Sequence, residues 1–190
     1  MKHIKLTIMS VLLLSTMLNG CGGSSKENPE SVKVDDMEIK ENEITSTDGT
    51  RGFKGDIDNT NLQTIYEGLT FENVYLVDGD DKKINSEEVP LNSKFSIVFD
   101  GIQNYTLVNG KAFPKLSMMV TGDKGPVVDE KNLLASYTEG LSPEDAAVLR
   151  GTVTVGEPME SGKQYTCLIN ITDLNNSEIY IQSSWLFTVK

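Results

Sequence analysis

The chain has 190 residues, 17 basic and 28 acidic, for a formal charge of −11, with one histidine and two cysteines. An acidic chain whose arginines are Arg51 and Arg150 alone cannot lay a basic stripe along a phosphate backbone, so nucleic acid and anionic headgroups are poor partners and cationic or neutral ones fit better.

The N-terminus opens with Lys2 and Lys5, continues with an apolar run over 6–18 broken by Thr7, Ser10, Ser15 and Thr16, and then reads Leu18-Asn19-Gly20-Cys21-Gly22. A transmembrane span needs about 20 apolar residues, and this run is shorter. A small residue directly before a cysteine resembles the lipobox of bacterial lipoproteins, with Asn19 a departure from the small or apolar residue common there. The resemblance implies a thioether-linked lipid on Cys21 and loss of residues 1–20 as a signal peptide. Gly22, in place of an aspartate, implies an outer-membrane destination, and the lipid bilayer becomes a partner through the acylated Cys21.

Removal of residues 1–20 takes away His3, Lys2 and Lys5 and shifts the formal charge to −13. Without histidine, Ser-His-Asp and Cys-His arrangements and imidazole-ligated zinc are not available. No Walker-type loop, G-x-S-x-G or G-x-G-x-x-G motif is present. The expectation is a protein that is not an enzyme and carries no cofactor.

Residues 21–60 are polar and acidic, with Val32, Val34, Met37, Ile39 and Ile44 scattered among charges, and read as a flexible tether. The competing reading is an edge strand over 32–39. Residues 61–190 read as one domain. Strands are expected over 70–77, 95–99, 107–113 (with the hairpin pair Asn109-Gly110), 116–120, 150–156, 165–171 and 179–189, the last two paired across an Asn-rich turn at 173–177. Ser142-Pro143-Glu144-Asp145 signals a short helix start, and 129–137 another helical turn or two. On the last strand Trp185, Phe187 and Val189 share a face and belong to the core, as does Cys167 beside Tyr165 and Ile169.

The fold class predicted is all-β, an antiparallel sandwich of six to seven strands. The run from Met159 through Asp173, with Gly162 before Tyr165, followed by a strand ending Phe187-Thr188-Val189-Lys190, resembles the closing strands of bacterial immunoglobulin-like domains. That resemblance supports an immunoglobulin-like sandwich and leaves activity open, because such sandwiches host unrelated functions.

Asp78-Gly79-Asp80-Asp81, with Glu87 and Glu88 nearby, invites a calcium site, but Lys82 and Val89 occupy positions where an EF-hand needs ligands, so a solvated Asp-Gly turn is the better account. Gly55-Asp56-Ile57-Asp58-Asn59 is a weaker candidate of the same kind. For binding, the residues singled out are Tyr105 and Phe113, in the connection between two strands, and Asn175 and Asn176 in the final hairpin. An immunoglobulin-like order brings the 100–114 loop, the 141–143 segment and the 173–177 turn to one end, where an aromatic ring beside amides suits a glycan or a protein. The function expected is a membrane-anchored, non-enzymatic binding or adhesion module, with a structural or assembly subunit of an envelope complex as the alternative.

Overall fold

A computed structural model describes residues 32–34, 36–40, 42–46, 48–56 and 60–190, with side chains from residue 36 onward except that of Asp56. The chain is all-β. Along the sequence run β1 (Val32–Val34), β2 (Met37–Lys40), β3 (Glu43–Ser46), β4 (Arg51–Asp56), β5 (Leu62–Glu67), β6 (Asn73–Asp78), β7 (Glu88–Val89), β8 (Lys94–Asp100), β9 (Pro114–Gly122), β10 (Gly125–Glu130), α1 (Pro143–Ala146), β11 (Val148–Thr154), β12 (Gln164–Asp173) and β13 (Asn176–Val189).

The large sheet has the order β1-β2-β3-β4-β5-β13-β12-β9-β10, with β7 joining β13 in parallel; the small sheet is β11-β8-β6. All other pairings are antiparallel. Strict alternation builds this arrangement: β12 buries Tyr165, Cys167, Ile169 and Ile171 while Thr166 stays exposed, and the period of two turns one face of the strand inward. The hairpin expected between the last two strands forms, with Cys167 opposite Trp185 and Ile171 opposite Ile181.

Between the sheets, Phe95 of β8 meets Trp185 edge-on at 4.9 Å and Phe187 at 5.0 Å, while Trp185 stacks on Phe187 at 5.1 Å. Aromatic pairs in these arrangements add about 0.5–1.5 kcal/mol beyond their buried area. The indole N–H of Trp185 donates to the Thr60 carbonyl at 2.7 Å, so the one polar atom of the largest core side chain is paired.

Three expectations are corrected. Where residues 21–60 read as a tether, the described part from Val32 forms the meander β1–β4, so the competing reading of a strand over 32–39 is the one realised, as β1 and β2, and β4 pairs with β5 from Arg51↔Glu67 to Asp56↔Leu62; residues 21–31 lie outside the described residues. Strands of four to six residues with one or two apolar side chains each, such as Ile39, Ile44 and Phe53, are too short to show an alternation within a charged stretch. The Asp48 carboxylate holds the β3–β4 turn by accepting from Ser46 Oγ at 2.6 Å, Thr50 N at 3.0 Å and Thr50 Oγ1 at 2.8 Å. These bonds to the ionised form pull its pKa down to about 2. Second, the six to seven strands expected over 61–190 become nine, β5–β13. Third, a strand not expected, β10, runs back along β9 because Gly122 and Gly125 face each other across a tight hairpin at Asp123-Lys124; the turns expected within 129–137 follow it, with Ala135 N donating to the Asn132 carbonyl at 3.3 Å and Tyr137 N to the Leu134 carbonyl at 3.0 Å. The helix start does form: Ser142 Oγ accepts from Asp145 N at 3.1 Å ahead of Pro143.

Candidate binding site

The three segments expected at one end of the sandwich do meet there. Ala112 and Leu141 exchange backbone hydrogen bonds at 2.9 and 2.8 Å, and Leu174 N donates to the Phe113 carbonyl at 2.9 Å. The knot is Asp173, only 1% exposed. Its carboxylate accepts from Thr106 N at 2.6 Å and from Asn175 N at 2.8 Å, fastening the long loop to the final turn. Hydrogen bonds to a charged acceptor contribute about 1.5–3 kcal/mol each.

The residues singled out from the sequence are therefore brought together, but largely as framework. Most of the Tyr105 ring is covered against the core, and its hydroxyl donates to the Ala146 carbonyl at 3.3 Å. Burial, and then the nearby Asp173 charge, push its phenol pKa up. Asn175 Nδ2 donates to the Thr106 carbonyl at 3.5 Å, and Asn176 Oδ1 accepts from Glu178 N at 3.1 Å. Phe113 is half-buried against Gly140, where an added Cβ would lie 2.9 Å from its ring. Asn109 and Gly110, both at positive φ, make the expected tight turn between Val108 and Lys111.

What this framework leaves exposed is aliphatic. Leu107 is 49% exposed, Val108 42% and Leu174 60%, flanking the Thr106–Asp173 link. Sequence reasoning favoured aromatics and amides and passed over these three, although leucine in a polar turn such as Asp173-Leu174-Asn175 is itself a signal. An apolar group held in solvent by a rigid base offers contact area without an ordering cost on binding.

A second concavity, a cleft of about 320 Å³, lies between the meander and the body of the sandwich, with Lys40, Asn42, Glu43 and Lys54 on one wall and Phe71 and Asn73 on the other. Two of its charges are paired with each other: Lys54 lies 3.3 Å from Glu43 and stands 5.1 Å over the Phe71 ring. It was not legible while residues 40–55 read as tether.

The Asp78–Asp81 turn is a hydrogen-bonded turn. Asp78 Oδ1 accepts from Asp80 N at 2.9 Å and Lys82 N at 3.0 Å, which lowers its pKa, and Asp81 pairs with Arg150 at 3.0 Å. Among the described residues no three acidic, cysteine or histidine side chains converge as metal ligands. Residues 57–59 of the second candidate, and Cys21, lie outside the described residues. Cys167 is fully buried, and desolvation pushes its thiol up to about 12.

No protein-family model matches the chain, and no curated protein matches it. Among solved structures it is similar to the PmoD soluble domain from Methylocystis sp. ATCC 49242, at 10% identity and a TM-score of 0.36, over 66% of this chain and 91% of that one.

Proposed function

We propose that this protein is a lipid-anchored, non-enzymatic binding module of a bacterial envelope, held on the outer membrane through Cys21, with an immunoglobulin-like sandwich that contacts its partner through the loop end at Leu107, Val108 and Leu174. The observation that carries the binding reading is this exposed aliphatic trio on a base locked by the buried Asp173 carboxylate. Fixed apolar contacts suit a protein surface better than a sugar, whose recognition calls for free amides and an open aromatic face. The leader sequence ending Gly20-Cys21 supports the anchor.

The test is an affinity pull-down from envelope extract with residues 22–190, run beside a glycan array. The wild-type chain should retain a protein that Leu107→Ser/Leu174→Ser loses. A partner kept equally by the double variant, or a reproducible array hit, contradicts the proposed contact.

One observation favours assembly by strand addition as a second reading. Among the described residues β11 pairs with β8 alone, and its seven residues contain no proline; a bare edge of this kind can accept a further strand. Thr152→Pro would block that route and leave loop-end binding intact.

A further inference from the structure

The outward face of the N-terminal meander carries an unbroken apolar row. Ile39 of β2 lies opposite Ile44 of β3, Ile44 opposite Phe53 of β4, and Phe53 opposite Ile65 of β5. Residues directly paired across antiparallel strands share a face, and Ile65 points away from the core because its neighbours Thr64 and Tyr66 are buried. Ile39, Ile44 and Ile65 are 37%, 39% and 41% exposed. At about 4.8 Å between strands, the row is about 14 Å wide.

The opposite face of β3 and β4 is polar and turned toward the sandwich. Tyr66 Oη donates to Thr45 Oγ1 at 3.3 Å, Lys54 stands over Phe71, and Glu43 pairs with Lys54. Gly52 lets the strands close in this way, since a Cβ there would lie 2.3 Å from the Ile44 carbonyl oxygen and 2.8 Å from the Tyr66 hydroxyl. The meander thus turns Thr45, Glu43 and Lys54 inward and leaves the isoleucine row facing out, with Arg51 and Glu67 beside it on the same face.

We infer that this row, Ile39–Ile44–Phe53–Ile65, lies on the lipid bilayer, in the interface between headgroups and acyl chains. The inference rests on the proposed acylation of Cys21. Ten residues lie between Cys21 and Val32, a reach of at most ~40 Å, so a lipid at Cys21 keeps the meander near the membrane. At the effective concentration set by so short a link, a row too small to hold a free protein on vesicles is sufficient to orient an anchored one. The formal charge of −13 after signal removal selects neutral over anionic headgroups.

The experiment uses the full lipidated protein in phosphatidylcholine vesicles, with flotation scoring the anchor separately. Ile65→Trp should lose at least half of its added fluorescence when the acyl chains are brominated, against a background from Trp185, which is buried. Val148→Trp, on the outward face of the small sheet, should lose less than a tenth. Phosphatidylglycerol in the vesicles should reduce the Ile65→Trp quenching, and salt should restore it. A labelled Ile44→Cys variant gives the same reading should Ile65→Trp fold poorly. Flotation without quenching at either position overturns the inference, and shielding from aqueous quencher in a dimer would assign the face to a second copy. Failure to float, with an unmodified Cys21, overturns the anchor itself and the inference with it.

Discussion

Replacing Tyr105 by alanine separates a framework tyrosine from a ligand-contact ring. Most of the ring is covered against the core cluster, and its hydroxyl reaches the Ala146 carbonyl at 3.3 Å. A tyrosine buries about 150–250 Å² when enclosed, and at about 25 cal/mol per Å² the loss of most of that area corresponds to about 3–5 kcal/mol. Tyr105→Phe keeps the packing and removes one long hydrogen bond, a loss of about 0.5–1 kcal/mol. Urea unfolding of residues 22–190, followed by near-UV dichroism and tryptophan fluorescence, reads both values. The phenylalanine variant has a further signature. Because the folded phenol pKa is raised, the wild-type fold holds the neutral form, so its stability is full below the ordinary tyrosine value of about 10 and falls as pH rises above it; Tyr105→Phe should flatten that decline. A Tyr105→Ala change within about 0.5 kcal/mol, as for an open surface residue, would refute the reasoning and return the ring to the role of a free contact group.

Deletion through residue 56 removes every β4 partner of β5 and should destabilise the domain by about 2 kcal/mol; an unchanged urea midpoint would show that the meander is a separable arm. Gly52→Val should act like that deletion, since its side chain has no room against Ile44 and Tyr66, and hydrogen exchange across β3–β5 would report it. Cys167 should be silent to a thiol reagent at pH 8 in the native chain and react fully in denaturant, because burial keeps its thiol neutral up to about 12; rapid native labelling would contradict the buried position.

The parts of the fold written in long alternating runs were legible in the sequence. Tyr165, Cys167, Ile169 and Ile171 announced β12, Trp185 and Phe187 announced the core face of β13, and Ser142-Pro143 announced the helix start, because in each the local signal and the tertiary packing agree. The meander was not, because its apolar residues come one or two to a strand and take their pattern from cross-strand pairing such as Ile44 with Phe53. The three loop segments meet as strand order implied, but the roles within them were inverted: the Tyr105 ring packs into the framework, while Leu107 and Leu174 face solvent, with Asn175 exposed beside them. That inversion depends on the buried Asp173 carboxylate, whose contacts with Thr106 and Asn175 join segments far apart in the chain.

The anchor is tested most directly by intact mass spectrometry of the protein extracted from membranes of its own host. The account predicts a chain that begins at Cys21 and carries a diacylglyceryl thioether with its acyl chains, and a Cys21→Ala protein that stays an unlipidated precursor. A mature chain that begins elsewhere, or that begins at Cys21 with a free thiol, would contradict it.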